Sequence, residues 1–218
     1  MSFDLDPAVS VSINGQIVPA NPGSEDSPYW EVHPQYVKVS LDGYPLEQTF
    51  FSPVIAVYPV EEYSQMSPRA GETLDNLKDF LAQKPAAVDQ APFLPVINYG
   101  QVFHSNLKGL DFQNGSGVRF LAIYAQEPAP VNNQALIYTF QGLTSDGRYI
   151  VSIILPVNHP SLPADANALS IDELKSIAEN YDTHRAEMAS LLSSQPDDSF
   201  TPDLDKLDQL VASLAIER

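Results

Sequence analysis

The run Tyr149-Ile150-Val151-Ser152-Ile153-Ile154-Leu155 is apolar at nearly every position. A strand that lacks the usual alternation of apolar and polar residues has both of its faces covered. This run therefore belongs in the middle of a sheet that carries a layer on either side. Directly before it stands Asp146-Gly147, a pair that tolerates the positive φ of a tight hairpin turn. Residues 135–143 supply the first arm of that hairpin, and residues 118–124, Val118-Arg119-Phe120-Leu121-Ala122-Ile123-Tyr124, supply a third strand beside it.

Three more turn signals occur upstream. Asn14-Gly15 separates residues 8–13 from 16–18, Asp42-Gly43 follows the alternating segment 36–41, and Asn114-Gly115 precedes strand 118–124. Each predicts a hairpin, so the sheet is expected to be mostly antiparallel. Helical spacing of Leu74, Leu77, Phe80 and Leu81 predicts a helix over 73–83, closed by Lys84-Pro85 and crossing one sheet face. Ser170 followed by Glu173 is a capping-box pattern. It opens a helix whose stripe is Leu174, Ile177, Ala178 and Tyr181, expected to run on through Met188 to Leu192. Thr201 as N-cap and Pro202 at the first helical position begin the last helix, with Leu204, Leu207, Val211 and Leu214 facing inward. The expected class is α+β: a mainly antiparallel sheet flanked by helices, with a C-terminal helical hairpin. Nineteen prolines fall mostly between the elements, no stretch is a flexible Gly/Ser linker, and no internal repeat is present. The chain, 1–218, reads as one domain with a proline-rich, β-rich N-terminal portion, and a boundary near 85–100 is the alternative.

Charge narrows the partners. The 28 acidic and 11 basic residues leave a net charge of −17, and the basic residues form no run. Such a surface repels phosphate backbones and anionic lipid head groups, which disfavours nucleic acid and membrane surfaces. The absence of cysteine excludes disulfides, thiolate nucleophiles and cysteine-ligated metals within this chain. Apolar runs at 54–58 and 150–157 are far shorter than the roughly 20 residues of a membrane-spanning helix. The N-terminus, Met1-Ser2-Phe3-Asp4, lacks the features of a signal peptide. The protein is then either cytoplasmic or a mature portion with a new start Met.

The catalytic patterns are thin. Gly115-Ser116-Gly117 lacks the frame of a nucleophile elbow and is expected in a turn. His33, His104, His159 and His184 are scattered, without the i, i+4 pair of a zinc helix; His184 with Glu187 makes only half of a di-metal pattern. No phosphate loop and no dinucleotide fingerprint occur, so no nucleotide cofactor is expected. Asp197, Asp198, Asp203, Asp205 and Asp208 could offer oxygen ligands to calcium, but EF-hand spacing is not met, and an acid at Asp203 also serves the helix dipole. No catalytic, cofactor or metal residue is assigned. A hydrolase would need a site assembled from distant residues, such as His104 or His159 with Asp111 or Asp146. Aromatic residues concentrate in the first third: Tyr29, Trp30, Tyr36, Phe50, Phe51, Tyr58 and Tyr63. Beside prolines they can line a groove for extended peptides or sugars, although filling a core is the commoner use.

The segments Gly117 through Gln126, Asn132 through Tyr149 and Leu155-Pro156-Val157, with the closing Phe200-Thr201-Pro202-Asp203-Leu204-Asp205 and its helix, resemble a group of uncharacterised exported bacterial proteins, many of them lipoproteins. The likeness covers roughly residues 117–214. That group has no assigned activity and supplies no catalytic residue. It implies a precursor whose signal, and a lipid-bearing cysteine, lie outside this sequence. The order of elements is also similar to the α+β fold of the photosystem accessory and Ran-binding family, a fold-level likeness that transfers no function. The expectation is a non-enzymatic exported module that binds a protein or another extracellular ligand at the cell envelope. A distant-residue hydrolase and a calcium-stabilised structural protein are the alternatives.

Overall fold

The computed structural model describes residues 1–83, 85 and 88–217. Seven strands form its sheet: β1 (Ser12–Val18), β2 (Tyr36–Asp42), β3 (Val54–Pro59), β4 (Gly100–Phe112), β5 (Gly115–Ala125), β6 (Ile137–Thr144) and β7 (Tyr149–Pro156). Their order across the sheet is β1-β2-β3-β7-β6-β5-β4, and every neighbouring pair is antiparallel. The apolar run thus occupies the central strand, buried from Ile150 to Pro156. Strands on both sides of residues 85–100 join this sheet, because β3 pairs with β7, Tyr58 opposite Ile150.

The lack of alternation in β7 has its physical cause in two cores. Val151, Ile153 and Leu155 face one core, shared with Val9, Leu192 of α4 (Tyr181–Ser193) and Leu204, Leu207, Val211 and Leu214 at α5 (Leu204–Ser213). Ile150 and Ile154 face the other, shared with Tyr63 of α1 (Val60–Met66), Leu74 and Leu77 of α2 (Pro68–Gln83), and Ala91 and Leu94 of the following segment. The class is α+β, an antiparallel sheet with helices over both faces. Among the described residues no helix is long and apolar enough to cross a membrane.

Several expectations change. Asn14-Gly15 is not a turn: β1 runs straight through it, with Asn14 opposite Ser40 and Gly15 opposite Val39. The preceding residues cannot form a hairpin arm because Asp6 curls them back, its carbonyl accepting from Val9 N–H at 2.8 Å and its carboxylate from Ala8 N–H at 2.7 Å. Gly43 does turn, at φ 68°, but β3 begins only at Val54, so this turn ends a strand without closing a tight hairpin. The third signal does mark a hairpin, yet Gln113-Asn114 are its turn residues, and Gly115 lies in the ladder opposite Phe112. A Cβ at Gly115 would collide with the Phe112 ring and the Leu143 carbonyl, so glycine serves close approach there. Gly115-Ser116-Gly117 is accordingly strand, not turn. Gly147 takes φ 69° between β6 and β7, as its sequence predicts.

The helix at 73–83 begins earlier, at Pro68, and its predicted closure at Lys84 lies outside the described residues. Ser170 and Glu173 make the full capping box at the start of α3 (Ile171–Glu179). The helix does not run on unbroken to Leu192. It stops at Asn180, where φ is −125° and the side-chain amide donates to the Ser176 carbonyl at 3.1 Å, and α4 starts anew. The N-cap of α5 is Asp203, whose carboxylate accepts from Asp205 N–H at 2.8 Å. Thr201 is unavailable for that role because its backbone pairs with Asn158 in a bridge. Leu204, Leu207, Val211 and Leu214 are buried as the spacing predicts. Both α4 and α5 pack on edge strand β4.

Candidate binding groove

Residues 91–97 cross one face of the sheet without joining its ladder, so their buried backbone groups need other partners. Side chains supply them. The Gln101 amide accepts from Ala91 N–H at 2.9 Å and donates to the Ala91 carbonyl at 3.2 Å. The Gln141 amide does the same at Leu94, at 3.0 and 3.1 Å, and the Ser152 hydroxyl donates to the same carbonyl. The Tyr63 hydroxyl accepts from Val96 N–H at 3.3 Å. Gln141 and Ser152 are 1% exposed, inside an otherwise apolar layer. Polar residues on β6 and β7 are thus spent on holding one irregular segment.

That segment is the wall between two concavities. One, of about 540 Å³, is lined by α2 residues from Arg69 to Gln83 and by Phe93, Pro95, Tyr99 and Tyr124. The other, of about 420 Å³, lies between the 3₁₀ turn Tyr29–Glu31 and the wall, with Trp30, His33, Tyr36 and Tyr99 around it. An aromatic stack leads from its rim to its floor: His33 meets Tyr36 edge-on at 5.1 Å, Tyr36 stacks on Tyr58 at 4.4 Å, and Tyr58 meets Tyr63 at 5.0 Å. Burial pushes the Tyr63 hydroxyl up to about 12, and that of Tyr58 well above its ordinary range. Both stay protonated donors at any ordinary pH. At the rim Tyr29, Trp30 and Tyr99 remain 37%, 38% and 51% exposed. Arg69 lies over the Tyr29 ring at 3.9 Å, which fixes that ring between α2 and the groove.

The aromatic set of the first third therefore divides. Tyr58 and Tyr63 are buried, Phe51 packs against the same core, Phe50 is exposed elsewhere, Trp30 and Tyr36 line the groove, and Tyr29 stands at its rim with its hydroxyl 3.5 Å from Asn98 Oδ1. Sequence reasoning missed the other wall, Phe93 to Tyr99, and the glutamines behind it. The spacing of Pro92 and Pro95 between aromatic residues was the available signal. Nothing local marks Gln141, which the sequence offers only as a break in an apolar strand.

The structure does not assemble the candidate acid–base pairs. Cross-strand register links His104 to Ala122, Ile137 and Pro156 at one end of the sheet, and His159 follows just beyond that end. Asp111 is linked to Ser116, Leu143 and Ile150 at the other end, where Asp146 sits in the turn. At about 3.3 Å per residue, the stretch of β7 from Ile150 to Pro156 separates the two groups by about 20 Å. His159 does meet a serine, but in the wrong sense for activation. Its Nδ1 accepts from Ser161 N–H at 3.2 Å, so Nε2 carries the proton and donates to Ser199 Oγ at 3.1 Å. Ser199 in turn donates to the Pro196 carbonyl at 2.6 Å. His184 Nε2 accepts from Val131 N–H at 3.3 Å, and His33 Nδ1 donates to the Pro34 carbonyl at 2.9 Å. Burial lowers the His104, His159 and His184 pKa values, which disfavours the charged form of each ring.

Of the five aspartates considered for calcium, Asp197, Asp205 and Asp208 bring carboxylate oxygens within 4.8 Å of one another. Two cations of the chain are already among them. Buried Arg119 pairs with Asp197 at 3.0 Å and Asp208 at 3.3 Å, and Lys108 pairs with Asp208 at 2.8 Å. Tyr138 donates to Asp208 at 2.9 Å. Burial raises the Asp197 pKa, against the pull of Arg119. The arrangement ties α5 and the 3₁₀ turn Asp197–Ser199 to strands β4, β5 and β6.

No protein-family model matches the chain, and no curated protein or solved structure matches it either.

Proposed function

We propose that the chain is a non-enzymatic binding module that works at the bacterial cell envelope and takes a protein or another extracellular ligand in the aromatic groove. One observation carries this reading: partly exposed Trp30 and Tyr36 face, across the groove, a wall that bears Pro95 and Tyr99 and whose backbone is pinned by Gln101, Gln141, Ser152 and Tyr63. A site held rigid before binding loses little entropy when a ligand arrives. Flat aromatic faces beside a fixed backbone suit an extended peptide or an oligosaccharide. The net charge of −17 disfavours nucleic acid. The envelope location rests on the resemblance of residues 117–214 to exported bacterial proteins, and the absence of cysteine accords with it.

Crosslinking followed by capture of the tagged protein from surface and soluble fractions tests the proposal. A near-stoichiometric surface partner should appear with the unaltered protein and with Ile171→Ala, an exposed position on α3. It should be lost with Trp30→Ala/Tyr99→Ala. Equal recovery with all three proteins would count against the groove, and recovery only from the cytoplasmic fraction against the location. Truncation of the N-terminal third is unsuitable, because β3 pairs with the central strand.

A further inference from the structure

The two edges of the sheet are built differently. Edge strand β4 carries register shifts at Gln101/Phe103 and Ser105/Lys108, and α4 and α5 pack against it. Bulges and covering helices are the usual means of stopping another strand from pairing with an edge. Among the described residues, edge strand β1 has neither. It pairs with β2 over seven residues without a shift, contains no charge and no proline, and is exposed on both faces up to Val18. Val11, Ile13 and Ile17 are 79%, 48% and 66% exposed. The charge-free stretch extends from Pro7 to Ser24, in a chain whose net charge of −17 makes two copies repel elsewhere.

We infer that β1 is a self-association edge, on which a second copy of this chain adds its own β1 antiparallel about a two-fold axis through Gly15. The sequence of the strand is self-complementary in that register. Ile13 falls opposite the second copy's Ile17, Asn14 opposite its Gln16, Ser12 opposite its Val18, and Gly15 opposite its Gly15. Ile13, Gly15 and Ile17 share one face, since their partners on β2 are Leu41, Val39 and Val37. The four isoleucines therefore form one apolar strip over the paired glycines, continuous with Val37 of each copy. Pairing satisfies the outward N–H and C=O groups of both edges and joins two seven-stranded sheets into one. A two-fold axis makes such an interface closed, so association stops at the dimer. The seam is a single strand pair, and by mass action the dimer fraction rises with protein concentration.

The chain has no cysteine, which makes the register directly testable. Gly15 has ordinary φ, and the nearest atom to an added Cβ is Val39 Cγ2 at 4.0 Å, so Gly15→Cys fits the folded chain. On mild oxidation, Gly15→Cys should give a disulfide-linked dimer and Ser12→Cys, which faces Val18, should give several-fold less. In sedimentation the unaltered protein should rise with concentration toward twice the monomer mass, while Ile13→Lys/Ile17→Lys stays monomeric with an unchanged far-UV spectrum. Equal crosslinking at both cysteine positions, no crosslinking at either, or a monomer at every concentration would overturn the inference. The last result would leave the edge to a strand of a different protein.

Discussion

The side-chain amide of Gln141 on β6 makes both hydrogen bonds that a neighbouring strand would make to the backbone of Leu94. It accepts from the Leu94 N–H at 3.0 Å and donates to the Leu94 carbonyl at 3.1 Å. An irregular segment is thereby fastened to the sheet as if it were a strand, while its flanking residues stay free to form the wall of a groove.

Replacing Gln141 with Leu preserves volume and leaves the Leu94 N–H buried without that partner. A loss of about 2 kcal/mol in unfolding free energy is expected, the cost of an unsatisfied buried polar group. Urea unfolding measures it. Amide exchange at Leu94 should also accelerate, and an unchanged exchange rate would show that the clip does not hold the segment.

Arg119 is 3% exposed and faces Asp197 and Asp208. Arg119→Leu leaves two carboxylates in a poorly hydrated place and should cost about 3–5 kcal/mol, the usual effect of breaking a buried pair. Lys108 has a side chain 46% exposed, so Lys108→Ala should cost under about 1 kcal/mol. Chemical denaturation of the two variants side by side checks the ranking.

Gly115→Ala should destabilise by about 1–3 kcal/mol, because the added methyl meets the Phe112 ring and the Leu143 carbonyl. Gly109, in the neighbouring strand β4, has nothing within 4 Å of a built Cβ, and Gly109→Ala is the control. Thermal melting separates them.

Stability should fall as pH drops below 6.5. His104, His159 and His184 have folded pKa values below 6.5, chiefly through burial. In that window the unfolded chain binds more protons than the folded one, so acidification favours unfolding. Asp197 acts in the opposite sense at lower pH, since its pKa is raised above 3.8 and the folded state binds its proton first. His159→Gln retains a donor toward Ser199 and should flatten the slope just below pH 6.5. Identical slopes would show that His159 does not contribute.

The fold was legible where the sequence encodes it locally. Unbroken apolarity placed β7 at the centre, Ser170 with Glu173 announced a cap, and Asp146-Gly147 announced a hairpin. It was illegible where the decision is made by distant residues. Asn14-Gly15 has the composition of a turn, but β2 offers a full-length partner and the residues before it are curled by Asp6, so the pair becomes strand. Thr201 lost its capping role to a bridge with Asn158. The groove was half legible: the aromatic side showed in composition, whereas the wall depends on Gln101, Gln141 and Tyr63 meeting backbone groups that lie far away along the chain or in unpatterned sequence.

The chain has a single tryptophan, and it sits at the groove rim, 38% exposed. Its fluorescence therefore reports on the site without any label. The most direct measurement is a titration of the intact protein with extended proline-containing peptides and with oligosaccharides, followed by Trp30 emission. Saturable quenching or a blue shift with one class, weakened at least tenfold in Tyr99→Ala, is the expected result. A ligand that binds the protein while leaving Trp30 emission unchanged would contradict the account.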